Sequence, residues 1–351
     1  MYIFFFEGER MISFKNDYSE FAHPNILKRM LDEENNQYVG YGLDEISENA
    51  RNKIKSYINK NVDIHFLVGG TQTNKTVIDH ILRPYQAVIA CDTGHVNVHE
   101  TGAIEATGHK VIAVNGKNGK LTVEAIKEAY YAHTDEHMVM PKMVYISNST
   151  ELGTIYTKIE LESISLLCKR LGLYLFLDGA RLAVALTSDS NDLSLNDIAS
   201  LTDIFYIGGT KNGALLGEAV VIVNEKLKEN FRYAVKQNGG LYAKGFVAGV
   251  QFDELFKDDL YFEMGRHANE MALKLKKGLT ELGVKFAFDS YTNQQFPIFS
   301  SDMIEYIAKR FQFELWGQNG NDVTIRLVTS WATKEAYVDQ FIKYIKDYLD
   351  E

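Results

Sequence analysis

Between residues 44 and 223, short apolar runs alternate with amphipathic stretches of helical periodicity. The runs are bounded by Gly, Asn or Asp, which is typical of strands and helices that alternate in βαβ units. Such units form a mostly parallel sheet flanked by helices. The pattern predicts seven strands, at residues 65–68, 87–91, 110–114, 143–147, 173–177, 204–207 and 219–223. It predicts helices at residues 73–82, 122–130, 159–171 and 224–236.

The pattern changes after residue 245, where a long predicted helix at 261–282 precedes short strands and helices. Because a single core rarely grows beyond about 300 residues, we predict two domains in this chain of 351 residues. Residues 44–245 form a large α/β domain, and residues 246–351 form a smaller α+β domain. Residues 14–43 are predicted to lie against the small domain or the cleft. Residues 1–13 are predicted to be an extension, since Met11 is a second possible start.

The composition limits the kinds of partner. The chain has 37 Lys and Arg against 47 Asp and Glu, a net charge of −10, and no basic block, which argues against nucleic-acid binding. The apolar stretch at residues 3–6 is far shorter than a signal peptide or the ~20 residues that span a bilayer. Cys91 and Cys168 lie in apolar runs and predict neither a disulfide framework nor a zinc site. We therefore expect a cytoplasmic protein without a nucleic-acid or membrane partner.

In open α/β sheets, ligands bind at the carboxyl ends of the strands. The first predicted strand leads into Gly70, Thr71 and Gln72 and then into a helix. Glycine lets a ligand approach the backbone, and the unpaired N–H groups of a helix N-terminus bind phosphate. The segment lacks the Gly-Lys-Ser/Thr ending of a Walker loop. We interpret it as a phosphate site, with a simple turn capped by Thr as the alternative.

Two further strand ends carry charged side chains in apolar surroundings. Asp178 follows an apolar strand and precedes Arg181 by three residues. Since a buried carboxylate needs a partner, Asp178 either caps a helix and pairs with Arg181 or binds a protonated ring nitrogen. Lys211 follows another strand and lies between small residues. A desolvated lysine can lose its proton and then form a Schiff base with an aldehyde. The alternative is that Lys211 is an ordinary solvated surface lysine.

A fourth strand end carries His95 and His99. Its position beside the other three favours a role for His95 in the same site. The spacing of four also places both imidazoles on one face of a helix, where they could bind a metal. Because the pattern lacks His-Glu-x-x-His and a third ligand, a metal-dependent enzyme is the distant alternative. A scaffold protein without a cofactor would not explain why these groups fall at separate strand ends.

Together these segments resemble the low-specificity threonine aldolase and β-eliminating lyase family, which is pyridoxal-phosphate-dependent and has the aspartate aminotransferase fold of type I. Asn-Asp-Tyr at 16–18 is similar to the family's Ser-Asp-Thr opening, and Gly-Tyr-Gly-Leu-Asp at 40–44 to its Tyr-Gly-x-Asp segment. Gly-Thr-Gln-Thr-Asn at 70–74 is similar to its Gly-Thr-x-Ala-Asn phosphate cup. Asp-Gly-Ala-Arg at 178–181 is identical to the family motif. The resemblance extends from about residue 16 to residue 349.

The resemblance implies a role for each candidate residue. Lys211 would attach the cofactor aldehyde, His95 would stack on the pyridine ring, and Asp178 would bond the ring nitrogen. The residues implied to bind pyridoxal phosphate are Gly70, Thr71, Gln72, His95, Asn148, Asp178, Arg181, Lys211 and Lys244. Those implied to hold the substrate carboxylate are Arg181 and Arg326, assisted by Asn16, and bidentate binding by arginine suits a carboxylate.

Three positions depart from the family pattern. The segment at 238–244 lacks the Arg that reaches the phosphate of a neighbouring subunit, and Lys244 would replace it. Thr210 stands where a Ser usually precedes the lysine, and Ser147 stands where a Glu is usual.

We therefore expect a lyase that acts on a small amino acid. The expected reaction is aldol cleavage of a β-hydroxy amino acid, of the L-threonine or L-allo-threonine type, to glycine and an aldehyde. His95 or His137 is the candidate base for the hydroxyl proton. A β-eliminating lyase or an aminotransferase would use the same residues, with Lys211 also moving the Cα proton. The family also implies a homodimer or homotetramer, and the sequence leaves the substrate side chain and stereochemistry open.

Overall fold

The computed structural model describes residues 11–350, so residues 1–10 of the predicted extension at 1–13 lie outside the described part. The strands are β1 (Ile12–Ser13), β2 (Asp63–Leu67), β3 (Gln86–Cys91), β4 (Lys110–Val114), β5 (Met140–Ser147), β6 (Tyr174–Asp178), β7 (Ile204–Gly208), β8 (Glu218–Ile222), β9 (Lys285–Phe286), β10 (Gln294–Gln295), β11 (Pro297–Ser300), β12 (Phe311–Gln312), β13 (Glu314–Asn319) and β14 (Asp322–Val328).

The α-helices of the described residues are α1 (Pro24–Asp32), α2 (Glu45–Lys55), α3 (Gly70–Ile81), α4 (His95–Val98), α5 (Val123–Tyr131), α6 (Lys158–Leu171), α7 (Leu182–Leu186), α8 (Leu195–Leu201), α9 (Phe231–Gln237), α10 (Phe246–Leu255), α11 (Leu260–Glu281), α12 (Ser301–Ile307) and α13 (Glu335–Asp350). No helix among residues 11–350 combines the length and apolar character needed to cross a bilayer.

The large sheet has the strand order β2-β8-β7-β6-β5-β3-β4. The pairs from β7 through β4 are parallel, whereas β8 runs antiparallel to both of its neighbours, β7 and β2. The prediction of a mostly parallel seven-stranded sheet is confirmed. The reversed strand follows from a short connection, since residues 209–217 leave no room for a crossover helix. This loop carries Lys211.

Both faces of the sheet are covered by helices. Within β3, Val88 packs in the core on one face, with α3 and α9, while Ile89 packs in the core on the other face, with α2, α6 and α10. The same alternation occurs in β6, where Phe176 and Leu177 belong to opposite cores. A strand buried on both faces carries apolar residues at nearly every position. This burial explains why continuous apolar runs identify these strands.

The predicted helix at 224–236 is divided in the structure, which corrects the prediction. A short 3₁₀ turn, Glu225–Leu227, is followed by Asn230, and α9 starts only at Phe231. Asn230 has a φ of 61°, a left-handed conformation that asparagine tolerates and a helix interior does not. Helix α6 ends as expected at Gly172, which adopts a φ of 66°.

The small domain is built on an antiparallel sheet of order β10-β14-β11-β9, with β13 also paired to β14. Phe14, Phe299, Ile325 and Phe341 belong to its core. Strand β1 pairs with β12, so the fold begins before the predicted boundary at residue 13.

Helix α11 passes from one core to the other. Tyr261 and Met264 pack with the large sheet, while Met271 and Leu275 pack with the small one. Helix α10 also packs in the large core, through Phe252. We therefore propose that the division between the domains falls within α11 rather than at residue 245.

The segment before α1 connects both domains across the cleft. The backbone N–H of Phe14 donates to Gln312 of the small domain (2.8 Å). The N–H of His23 donates to the carbonyl of Gly213 (2.7 Å), in the loop that carries Lys211. Asp17 lies between these two anchors and is buried. The segment therefore forms one wall of the region around Lys211.

Candidate active site

Asp178 lies at the carboxyl end of β6 and is buried. One carboxylate oxygen accepts hydrogen bonds from the hydroxyl of Tyr206 (2.5 Å) and the N–H of Ala180 (2.9 Å). The other accepts from the hydroxyl of Tyr145 and from Nδ2 of Asn74 (3.0 Å). Burial raises the pKa of both tyrosine hydroxyls well above the ordinary value, so each remains a donor.

The charge state of Asp178 follows from these contacts. Burial alone would raise its pKa, but the electrostatic interaction with His95 and the hydrogen bonds from the two tyrosine hydroxyls hold the pKa below the ordinary value. Asp178 is therefore an ionised carboxylate in a low-dielectric setting. Such a group can bind a protonated ring nitrogen.

A hydrogen-bond network connects Asp178 to His95. The amide of Asn74 donates both to Asp178 and to Oε1 of Glu100 (2.7 Å), and this same oxygen lies 2.7 Å from Nδ1 of His95. Asn74 and Glu100 are buried. Because Glu100 holds Nδ1, the other ring nitrogen of His95 is left for a ligand.

Lys211 is half-buried in the loop after β7. Among residues 11–350, its amine has no hydrogen-bond partner. Burial and the nearby positive charge of Arg181 lower its pKa. Buried Glu218, which accepts a hydrogen bond from the N–H of Gly209 (2.9 Å), lies near the amine, and burial raises the pKa of this carboxyl to about 8. The amine is therefore more easily deprotonated than a surface lysine.

The N-terminus of α3 has no side-chain cap, and Gly69 occupies the N-cap position. Within the described residues, the N–H groups of Gly70, Thr71 and Gln72 have no hydrogen-bond partners. The side chain of Gln72 instead accepts from the N–H of Val68 (3.1 Å), which fixes the turn before the helix. Three unpaired N–H groups at the positive end of a helix can hold a phosphate.

Asn148 follows β5 and is fully buried. Its Oδ1 accepts a hydrogen bond from the N–H of Tyr156 (3.2 Å), while its Nδ2 is buried without a partner. A buried unpaired donor is costly unless a ligand accepts from it. Together with the free amine of Lys211 and the uncapped α3, this donor fits a cofactor that carries a phosphate, an aldehyde and a polar ring.

Arg181 does not stand free in the cleft. Its Nε and Nη2 donate to the two carboxylate oxygens of Asp17 (2.7 and 3.0 Å), and Asn293 donates to the same carboxylate (3.0 Å). Although burial alone would raise the pKa of Asp17, Arg181 lowers it below the ordinary value. Asp17 was not predicted as a site residue, although it follows Asn16 in the quoted motif.

Arg326, on β14, also has partners in the structure. Its guanidinium donates to Glu314 and, from Nη1, to Gln294 (3.3 Å), and it lies over the ring of Trp316. Its Nε is buried without a partner. Burial and the nearby charge of Arg181 lower the pKa of Arg326. The guanidinium groups of Arg181 and Arg326 therefore act on each other electrostatically.

The fold of one chain separates His137 from the other predicted site residues. His137 is exposed in the loop before β5, whereas the carboxyl end of β5, at Ser147, pairs with Asp178. An eight-residue strand spans more than about 20 Å. Within one chain, His137 does not lie where the predicted base would act, because it is at the opposite edge of the sheet.

Two other predicted residues contribute less directly. Oδ1 of Asn16 accepts hydrogen bonds from the N–H of Tyr18 (3.0 Å) and the hydroxyl of Ser19 (2.8 Å), which shape the turn around Asp17. Lys244 is exposed in the loop before α10.

The metal alternative finds no support in the part of the chain that the structure describes. There, no group of three or more His, Cys, Asp and Glu residues could hold a metal ion. The rings of His95 and His99 are tilted by 52° with centroids 5.6 Å apart, and Nδ1 of His95 is bonded to Glu100.

Comparisons with known proteins agree with this geometry. Residues 23–301 match the β-eliminating lyase family. A low-specificity L-threonine aldolase from Pseudomonas sp. is 32% identical over 311 residues, which cover 87% of this chain and 89% of that enzyme. The structure of a threonine aldolase from Leishmania major superposes with a TM-score of 0.95 at 49% identity, covering 96% of this chain and 99% of the other.

An aspartate aminotransferase from Thermus thermophilus shares the fold at 18% identity. It superposes with a TM-score of 0.72, covering 96% of this chain and 91% of the aminotransferase chain. The predicted fold type is confirmed by this superposition. The matched family and the site geometry lead to one assignment: the chain belongs to the β-eliminating lyase family and is a pyridoxal-phosphate-dependent lyase.

Proposed function

We propose that the protein cleaves a β-hydroxy amino acid of the threonine type to glycine and an aldehyde. The observation that carries this proposal is the 49% identity to the threonine aldolase of Leishmania major over 96% of the chain. The Pseudomonas aldolase supports the same reaction.

Lys211, Asp178 and the N-terminus of α3 would hold pyridoxal phosphate. The amine of Lys211 would hold the aldehyde, and the unpaired N–H groups of α3 would hold the phosphate. The ionised Asp178 would favour a protonated ring nitrogen. The bound cofactor supplies an electron sink for the pair released when the Cα–Cβ bond breaks.

Arg181 and Arg326 would orient the substrate carboxylate. Arg181 is fixed by Asp17 through Nε and Nη2, which leaves Nη1 for a ligand. The unpaired Nε of Arg326 is a second available donor. Asn16 supports this wall by shaping the turn that carries Asp17.

His95 would stack on the cofactor ring and is one candidate base. Glu100 fixes its orientation through Nδ1. His137 could reach such a site only on a second chain, because its own chain holds it at the opposite edge of the sheet.

A second candidate function uses the same residues. A β-eliminating lyase would release pyruvate and ammonia, and an aminotransferase would convert the amino acid to its oxo acid. The family match at residues 23–301 favours the lyases over the aminotransferase. Analysis of the products for glycine and an aldehyde separates these reactions from aldol cleavage.

We also propose a homodimer or homotetramer in the cytoplasm. Exposed apolar side chains cluster along the N-terminal segment, at Phe21, Leu31, Val39 and Leu43. Several large exposed apolar side chains along one segment favour contact with another chain. The segment lies beside the loop of Lys244, since the N–H of Tyr41 donates to Ala243 (2.9 Å), so that such an interface would bring Lys244 to a second chain. Light scattering that finds single chains only would contradict this assembly.

The visible spectrum of the purified protein tests the cofactor assignment. We expect an absorbance that borohydride abolishes, and mass mapping that finds the reduced cofactor on Lys211. A colourless protein that takes up no pyridoxal phosphate, or a label on another lysine, would contradict the proposal.

A further inference from the structure

Glu151 is a buried carboxylate to which sequence reasoning assigned no role. It follows β5 by four residues. Its Oε1 accepts hydrogen bonds from the hydroxyl of Ser147 (2.7 Å) and the backbone N–H of His95 (3.0 Å). Ser147 stands where the family usually has Glu. In this chain a carboxylate therefore lies directly beside Ser147.

The second oxygen of Glu151 is available. Among the described residues, Oε2 accepts no hydrogen bond, yet it does not belong to the buried atoms that lack a partner. It therefore keeps some accessible surface, although the residue as a whole is buried. Burial raises the pKa of Glu151 above the ordinary carboxyl value, although the bond from Ser147 opposes this effect.

The charges around Glu151 place it within the site. Its carboxylate interacts electrostatically with Arg181, His95 and Asp178. Arg181 is one of the two residues that would orient the substrate carboxylate. In a β-hydroxy amino acid, the hydroxyl is on the carbon next to Cα. A carboxylate that is bonded to the N–H of His95 and feels the charge of Arg181 is therefore a candidate partner for that hydroxyl.

We propose that Oε2 of Glu151 accepts the β-hydroxyl proton of the substrate, an inference that rests on the proposed function. The proton passes from the hydroxyl to Glu151, and the electron pair of the O–H bond becomes the second bond of the aldehyde carbonyl. The Cα–Cβ bond breaks and its pair remains on the Cα side. Return of one proton to Cα completes glycine.

A purely structural role is the competing explanation. Oε1 caps the short helix α4 through the N–H of His95, and this bond alone would account for burial of the side chain. Glu151→Gln separates the two roles, because its carbonyl still accepts from Ser147 and His95 while the ionisable second oxygen is lost.

The test compares two reactions of the holoenzyme. Cleavage of L-threonine requires a base for the hydroxyl, whereas exchange of the glycine α-proton in D₂O does not. We expect Glu151→Gln to lower kcat/KM for cleavage by about 100-fold or more, as for the loss of a general base. Glycine exchange and the cofactor spectrum should be retained. Ser147→Ala, which keeps the carboxylate, serves as the matched control and should lose far less.

Three outcomes overturn the inference, and they are distinguishable. If Glu151→Gln cleaves threonine as fast as the wild type, Glu151 is not the base. If it loses glycine exchange and the cofactor spectrum together with cleavage, its role is structural. If the wild-type holoenzyme exchanges glycine but never cleaves threonine, the proposed function fails and the inference with it.

Discussion

Replacement of Asp17 by alanine tests how the wall beside Lys211 is stabilised. The Asp17 side chain is 1% exposed and accepts hydrogen bonds from Nε and Nη2 of Arg181 and from Asn293. Water cannot replace these bonds at such burial, so Asp17→Ala leaves a guanidinium charge without compensation. Loss of one partner of a buried ion pair costs about 3–5 kcal/mol. We expect the free energy of unfolding to fall by about that amount.

Urea denaturation followed by circular dichroism measures the change. Glu335→Ala removes an exposed partner of Lys274 and should leave the midpoint unchanged, since surface pairs contribute little. The double variant Asp17→Leu with Arg181→Met removes both charges and should recover much of the loss.

The effect also has a defined pH dependence. Because Arg181 holds the folded pKa of Asp17 below its ordinary value of 3.8, against the effect of burial, the ion pair stabilises the protein at and above neutral pH. Its contribution is lost as the pH falls below 3.8 through the folded pKa, since Asp17 is then protonated in both states. The difference between Asp17→Ala and wild type should therefore shrink in acid. An Asp17→Ala variant as stable as Glu335→Ala at neutral pH would refute the reasoning.

Three further predictions concern the site and its backbone. Asp178→Asn removes the charge that stabilises a protonated ring nitrogen. It should lower kcat by about 100-fold or more, while a cofactor titration should still show binding. An unchanged kcat would contradict this role of Asp178. In the cofactor-free protein, Lys211 should react with a small aldehyde at lower pH than the surface lysines do, since burial lowers its pKa. Mass mapping of the modified lysines across a pH series measures this difference. Equal pH midpoints for Lys211 and the surface lysines would contradict the prediction. Gly179→Ala places a Cβ 1.9 Å from the carbonyl oxygen of Tyr206. Overpacking of this kind should lower the free energy of unfolding, measured by urea denaturation, by about 3 kcal/mol. A variant as stable as the wild type would show that the backbone there can move.

The strands of the large sheet were predictable because they are buried on both faces. Phe176 and Leu177 face opposite cores, so the whole run is apolar and is readable without any alternation. The break in the predicted helix at 224–236 was not predictable. It occurs at Asn230, which adopts a left-handed conformation that asparagine permits but does not require.

The candidate site was predictable at the strand ends. Asp178 ends a strand, Lys211 and Gly70 each come shortly after one, and the carboxyl ends of parallel strands meet at one edge of a sheet. The partners of these residues were not predictable. Tyr145 and Tyr206, which donate to Asp178, occupy strand positions typical of any core aromatic residue.

The sequence by itself determined the order of strands and helices and which reactive side chains stand at strand ends, because both are local patterns of burial and turn residues. Only the tertiary structure decided which charges compensate one another. Asp17 meets Arg181 across 164 positions, and Glu151 reaches the N–H of His95 across 56. Such contacts depend on how distant elements pack, and distant packing leaves no periodicity in a single sequence. The distance of His137 from the site of its own chain is likewise set by tertiary packing, so its residue type alone could not reveal it.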